Sequence, residues 1–208
     1  MNKQPKFKIC RRLGGAVFSK CESPRFLAAS EAKQRGGRGT GRGKKGGRAM
    51  SEYGTQLLDK QRARFTYNVR ERQFARYVRE AALKKGVNPA DYLYRTLESR
   101  LDNVVFRLGL AKSRALARQM VSHGHIVVNG RKVTIPSAGV RPGDTVGVRK
   151  ESKGKTLFAD TASRLKEYTP PKWLTLDETG QEGTVKSPPT AVGGEAVDLT
   201  SVLEFYGR

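Results

Sequence analysis

At 208 residues, with 37% apolar and 29% charged side chains, the chain can fold one large or two small domains around a true core while keeping extended polar parts. Forty-one Lys and Arg against 19 Asp and Glu leave a net charge of +22, more than solubility needs; the partner this field selects is a polyanion, nucleic acid ahead of an anionic membrane surface. Two cysteines exclude a disulfide framework, no run of 18 apolar residues offers a membrane span, and "MNKQPKFKICRR" lacks the apolar core of a signal peptide, so a cytoplasmic chain with reduced thiols and no membrane partner is expected.

Residues 1–50 carry 14 basic and 2 acidic side chains and no sustained apolar period. They read as a basic, partly extended N-terminal arm. Within it, "GGRGTGRGKKGGR" at 36–48 packs seven glycines and five basic residues, a composition that opposes both helix and strand. A formal GxGxxG runs from Gly41 to Gly46, but no buried strand precedes it, as a dinucleotide site requires. The phosphate-loop pattern fails as well: Arg38 holds its first glycine position, and Lys45 stands where the metal-binding Ser or Thr belongs. The block is therefore read as an arm that lays Arg38, Arg42, Lys44, Lys45 and Arg48 along crowded phosphates and takes its order from RNA.

Helical patterning begins at Ser51. In "NVRERQFARYVREAALKKG", Asn68 is expected to cap a helix with Glu71 completing a variant capping box, and Gly86 to end it. Phe74, Tyr77, Val78, Ala81 and Ala82 fall on one stripe, leaving Arg70, Arg72, Arg76 and Arg79 for a phosphate-facing or simply solvated side. "NPADYLYRTLESRLDNVVFRLGL" opens with Asn88 as cap, Pro89 at the first helical position and Asp91 favoured by the dipole. Its stripe of Tyr94, Leu97, Leu101, Val104, Val105 and Leu108 is core, closed by Gly109.

In "KSRALARQMVSHG", Ser113 caps a short helix whose Ala117, Met120 and Val121 face inward, with Lys112, Arg114 and Arg118 clustered outside. "HIVVNGRKVTI" places Asn129-Gly130 between two β-rich runs, the strongest short hairpin signal, with Arg131 and Lys132 just past the turn. "RPGDTVGVRK" adds a turn and a strand in which Val146 and Val148 alternate. The fold class is thus α+β: a helical region over 51–97, and over 98–160 two helices on a small antiparallel sheet. Beyond it a helix is expected near Thr156–Glu167, then loop-rich sequence. The apolar "VDLTSVLEFYGR" should dock, so that 161–208 packs back on the 51–97 region. With 7 basic and 9 acidic residues over 151–208, this tail faces protein or solvent.

Chemistry is sparse. Cys10 and Cys21, with ten residues between them, do not make the four ligands of structural zinc. His123 and His125 flank Gly124 at a helix-to-strand junction, where a structural or phosphate-facing role outweighs a metallic one. No catalytic constellation follows from spacing, and neither a cofactor nor an enzymatic activity is expected.

The run "SEYGTQLLDKQRARFTYNVRERQFARYVREA", followed by "LESRLDNVVFRLGLAKSRALARQMVSHGHIVVNGRKVTIPS" and "RPGDTV", closely resembles the bacterial-type small-subunit ribosomal protein S-four family, more weakly also in "WLTLD" and "EFYGR". The resemblance implies that 98–160 is the family's α/β RNA-binding module. It further implies direct binding to the 5′ domain of small-subunit ribosomal RNA early in assembly, an influence on decoding accuracy, the ribosomal proteins S-five and S-twelve as neighbours, and a position near where messenger RNA enters. Some members carry a four-cysteine zinc knuckle; here Phe7-x-x-Cys10 and Cys21-x4-Phe26 replace half of such a set, which predicts no zinc and a small apolar cluster instead. The Pro-Gly-x-His-Gly motif common upstream of "SEYG" is absent, so its contacts do not transfer.

Bottom-up, the RNA contacts are expected from Lys112, Ser113, Arg114, Arg118, Gln119, Arg131 and Lys132 in the module, and from Tyr53, Lys60, Arg62, Arg64, Arg70, Arg72 and Arg76 in the helical region. Two rival readings stand beside this. An RNA-modifying enzyme of the pseudouridine synthase kind places a catalytic Asp in an "RLD" motif, imitated by Arg100-Leu101-Asp102, but 58 residues after Lys150 are too few for that catalytic domain. A regulatory RNA-binding factor outside the ribosome is the other, against which the long match upstream of the module argues.

Overall fold

The computed structural model describes residues 5–15, 17–35, 50–159, 161–165, 168–177, 180–190 and 197–207. The chain divides into two units, Met1–Glu71 with Ala196–Arg208, and Arg72–Glu195.

The first unit is helical: α1 (Lys6–Leu13), α2 (Pro24–Arg35) and α3 (Glu52–Thr66), joined at the far end of the chain by α10 (Leu199–Gly207). The N-terminal arm therefore holds more regular structure than its composition suggests. Cys10, Leu13 and Cys21 are buried, and Phe7 stacks on Phe26 at 5.5 Å between ring centroids, the apolar cluster anticipated where a metal knuckle would sit. Burial, reinforced by the neighbouring Cys10, pushes the Cys21 thiol up to about 12, so at neutral pH it is a protonated apolar group. The glycine block at 36–48 lies outside the described residues.

Ser51 caps α3 by accepting from the Gly54 N–H at 3.2 Å. Besides Ala63, the buried residues of α3 are polar, Gln56 and Lys60, and its partner α10 brings groups that bond α3. Gln56 donates to Glu52 and Glu204, both at 3.1 Å, and Ser201 donates to Asp59 at 3.3 Å. Asn68 does not start the next helix. With φ +52° it ends α3: its N–H reaches the Phe65 carbonyl and the Val69 N–H reaches that of Arg64, a Schellman closure in which Asn takes the left-handed position.

The second unit holds α4 (Glu71–Leu83, apart from its first residue), α5 (Pro89–Glu98), α6 (Leu101–Arg107) and α7 (Arg114–Ser122). Then follow β1 (Ile126–Val128), β2 (Arg131–Lys132), β3 (Thr145–Val148), the short helices α8 (Thr156–Ala159) and α9 (Thr161–Leu165), β4 (Leu174–Leu176) and β5 (Glu182–Val185). The strands form one antiparallel sheet in the order β2-β1-β3-β5-β4. Its core joins Leu101, Val104, Val105 and Leu108 of α6 and Ala117, Met120 and Val121 of α7 to Ile126, Val146, Val148, Leu174 and Val185 of the sheet.

Asn88 and Pro89 start α5 as the sequence predicts, Asn88 accepting from the Ala90 N–H at 2.9 Å. The long apolar stripe is buried throughout, yet the helix that carries it breaks at Ser99–Arg100. Arg100 is extended (φ −66°, ψ 136°) and bridges Gly139, while Leu101 N–H and Asp102 N–H bond the Ala138 and Pro136 carbonyls. Tertiary hydrogen bonds thus outcompete helix continuation. Ala82, assigned to the inner stripe of α4, is exposed; of the two adjacent alanines only Ala81 turns inward.

The C-terminal stretch also departs from expectation. The single helix expected over 156–167 is two short pieces around residue 160, which lies outside the described residues. The "loop-rich" part instead supplies β4 and β5, which extend the sheet. A Cβ at Gly183 would meet the Leu108 side chain and come within 2.9 Å of the Thr175 carbonyl, so glycine is what lets α6 lie on β5. By contacts, β4 and β5 belong with the unit that holds α4 to α7, α10 belongs with α3, and the chain divides between Glu71 and Arg72.

Candidate nucleic-acid interface

The α7 helix begins where the expected cap places it. Ser113 is extended, its hydroxyl accepts from the Leu116 N–H at 3.2 Å and its carbonyl from the Ala117 N–H at 2.9 Å. Lys112 and Gln119 are exposed, and Arg114 and Arg118, one turn apart, are half-buried. Arg114 is held inward on one edge: its Nε donates to Asn103 Oδ1 at 2.7 Å and its guanidinium lies 4.5 Å over the Phe106 ring. The Ser113 hydroxyl is thereby occupied as a cap.

The hairpin after α7 has the predicted turn, with Asn129 and Gly130 both at positive φ and Val128 facing Arg131. Its geometry is locked from outside. Asn129 donates to Asp144 at 2.8 Å, accepts from the Thr145 N–H at 2.9 Å, and Asp144 in turn accepts from the Arg141 N–H at 2.7 Å. The Arg141 N–H bond, then the Asn129 bond, hold the Asp144 carboxyl below the usual range. Arg131 and Lys132 are exposed on β2. The Lys132 stem crosses directly over Gly124 (φ +72°), where any Cβ would strike it, so this lysine is carried to the C-terminal end of α7.

Around that junction the structure sets the two histidines that the sequence analysis singled out beside basic groups that it did not. His123 and His125 lie 6.2 Å apart between ring centroids, and His125 pairs through Nδ1 with the buried Ser152 hydroxyl at 3.0 Å. Burial, followed by the charges of Lys155, His123 and Arg149, pushes the His125 pKa down. Arg149, Lys150 and Lys155 were legible only as the basic run that follows the apolar strand.

On α4, Arg72, Arg76 and Arg79 are exposed while Phe74, Tyr77 and Val78 are buried, the division the periodicity predicts. Arg76 reaches Glu80 at 3.5 Å, but both side chains are about half exposed, so the pair is worth little. Arg70 is exposed too.

In the first unit, three residues expected to contact RNA already have partners within the protein. Lys60 is buried; its Nζ bonds Glu71 at 2.7 Å and sits 4.8 Å from the Phe205 and 5.5 Å from the Tyr206 centroid. Arg62 donates to the Leu13 carbonyl and to Asp59, tying α1 to α3. Arg64 is shared among Gln61, Glu71 and the Phe65 face. Of the groups that claim these three, Asp59, Gln61, Phe65 and Glu71 are near in sequence, and the Phe205 and Tyr206 rings against Lys60 come from the other end of the chain. Burial works against ionising Glu71, but hydrogen bonds from Lys60 and Tyr206 with the charges of Lys60 and Arg64 prevail and keep its carboxyl low. Tyr53 remains 52% exposed, stacked on Phe205 at 5.4 Å. Arg38, Arg42, Lys44, Lys45 and Arg48 lie outside the described residues.

Asp102 is no reacting group. Only 3% exposed, it is gripped by Arg100 through two bonds of 3.0 and 2.6 Å, and Arg100 is capped by the Tyr77 hydroxyl at 2.8 Å. No group of three or more His, Cys, Asp or Glu able to hold a metal occurs among the described residues, and no described helix is long and apolar enough to cross a membrane.

Two family models together match residues 1–146. One described as the S4 domain matches residues 99–146, and one described as the Ribosomal protein S4/S9 N-terminal domain matches residues 1–98. Among curated proteins, the chain is 39% identical over 208 residues to small ribosomal subunit protein uS4 of Kosmotoga olearia, covering 98% of this chain and 97% of the relative. It is 45% identical over 164 residues to the protein of the same name from Chloroflexus aurantiacus, with 77% and 79% covered, and 48% over 167 residues to that of Herpetosiphon aurantiacus, with 77% of each covered.

Proposed function

Because the chain belongs to the ribosomal protein S4 family, we propose that it is a structural, non-enzymatic component of the small ribosomal subunit that binds the small-subunit ribosomal RNA directly. The observation that carries this reading is the set of basic groups around α7, Lys112 and Arg114 at its capped start and the locked hairpin with Arg131 and Lys132 beyond its end, in a chain of net charge +22. The deep, narrow major groove of A-form RNA is closed to side chains, so such groups recognise the shape and phosphate spacing of an RNA junction. The retained interface comprises Lys112, Arg114, Arg118, Gln119, Arg131 and Lys132 in the module, with Arg70, Arg72, Arg76 and Tyr53 as further contacts.

The finer role we assign is binding of the 5′ domain early, so that the subunit body assembles around it, with an effect on decoding accuracy through the ribosomal proteins S-five and S-twelve and a place near where messenger RNA enters. It is supported by the motifs quoted above and by the acidic balance of residues 151–208, which suits basic protein neighbours better than RNA. The test is filter binding to a transcript of the 5′ domain of bacterial small-subunit RNA. With ~6–10 phosphates engaged, affinity falls by ~10³–10⁵ between about 50 and 200 mM salt. A shallow slope refutes the electrostatic reading, and failure to co-sediment stoichiometrically with small subunits refutes the ribosomal one.

A further inference from the structure

The Glu98 carboxylate is fully buried, and the RNA-binding reading gives it no task. Its Oε2 accepts from Asn103 Nδ2 at 2.8 Å and Arg107 Nε at 2.9 Å, and its Oε1 accepts from Arg107 Nη2 at 2.8 Å. Asn103, only 2% exposed, also donates to the Glu98 carbonyl at 3.1 Å. Its other face then accepts from Arg114 Nε at 2.7 Å. One buried acid at the end of α5 is thus relayed through an amide on α6 to a guanidinium at the start of α7.

The chemistry of position 103 is restrictive. Towards Glu98 the side chain must donate, and towards Arg114 it must accept; an amide of this length does both. Asp would set a second carboxylate against Glu98, and Leu would offer neither bond. The amide therefore passes orientation from the buried acid to the Arg114 Nε edge. Phe106, 4.5 Å from the guanidinium carbon, fixes the plane of that group from a second side.

We infer that Asn103, backed by Glu98, is a positioning residue that pre-orders Arg114 for an RNA phosphate, so that the rotamer entropy of this long side chain is lost on folding instead of on binding. This rests on the reading of Arg114 as an RNA contact, and the experiment separates the two. RNA affinity and its salt slope are measured on the 5′-domain transcript for wild type, Asn103→Leu, Arg114→Ala and the double variant. Arg114→Ala should lower the slope by about one. Asn103→Leu should weaken binding about two- to tenfold in the wild-type background and not at all once Arg114 is gone. If Arg114→Ala leaves affinity and slope unchanged, the contact itself is refuted. If Arg114→Ala weakens binding but Asn103→Leu does not, or weakens it equally in both backgrounds, the positioning role is refuted while the contact stands. A readout that needs no variant to fold is the Arg114 Nε–H resonance of the RNA-free wild-type protein, assigned by ¹⁵N NMR. Slow solvent exchange of that proton is expected, and exchange as fast as in a free arginine overturns the inference.

Discussion

Removing the Asp102 carboxylate should unfold the second unit's core more readily than any surface change. In Asp102→Ala, the Arg100 guanidinium, 2% exposed, loses both of its carboxylate bonds and keeps the Tyr77 hydroxyl. Water cannot easily replace them, because the chain around Arg100 is closed by the Gly139 bridge and by the bonds from Leu101 and Asp102 N–H to the 136–138 loop. Two unit charges whose centres lie about 4 Å apart attract by about 4 kcal/mol at an effective dielectric near 20. Measured costs of breaking such buried pairs run to about 3–5 kcal/mol. Against a typical domain stability of about 5–15 kcal/mol, that is roughly a fifth of the total or more, and it should lower the melting temperature by roughly 10–20 °C. Thermal and urea unfolding followed by far-ultraviolet circular dichroism measures it. The double replacement Arg100→Leu with Asp102→Leu should be milder than the single one, since it leaves no stranded charge. A loss below about 1 kcal/mol for Asp102→Ala, or a double variant worse than the single, would show that the pair is solvated and the reasoning wrong.

Lys132→Met should reduce the salt slope of RNA binding by about one with little change in melting temperature, whereas Lys60→Met should leave the slope alone and lower stability by removing one of the partners of Glu71, which keeps Arg64 and Tyr206; equal effects on the slope would return Lys60 to the interface. Gly124→Ala forces an L-residue into φ +72° beneath Lys132 and should cost about 1–2 kcal/mol, read by urea denaturation. For His125 the sign follows from its lowered folded-state pKa: the unfolded chain binds the proton more readily, so its contribution to stability is complete above the ordinary imidazole value of 6.5 and declines as pH falls below it. Comparing melting temperatures at about pH 8 and pH 5.5, His125→Gln should lose part of the wild-type drop, and an unchanged drop would mean the ring is solvated in the folded protein.

Local chemistry made much of this protein legible from its sequence. Pro89 after Asn88, Ser113 before an amphipathic run and Asn129-Gly130 between β-rich runs each act over a few neighbouring residues, and each appears in the structure as expected. The stripe from Tyr94 to Leu108 is buried residue for residue, because apolar periodicity reports which side faces a core even where the helix is interrupted. The charge imbalance likewise pointed to a polyanion without any coordinates.

Tertiary structure decided whatever depends on a partner distant in the chain. The sequence around Arg100 favours helix, and the break there exists because the 136–139 segment offers hydrogen bonds and Asp102 with Tyr77 offers the guanidinium a buried seat. Residues 174–176 and 182–185 become strands because the edge of β3 is open to pair with β5, and Gly183 lets Leu108 lie against it. Lys60 on α3 and Arg114 on α7 belong to the same sequence class, basic residues on helices, yet one is claimed by Glu71 and the α10 aromatics and the other is aimed by Asn103. A side chain's charge is written in the sequence, but the direction it faces is set by which distant carboxylate, amide or ring folds up beside it.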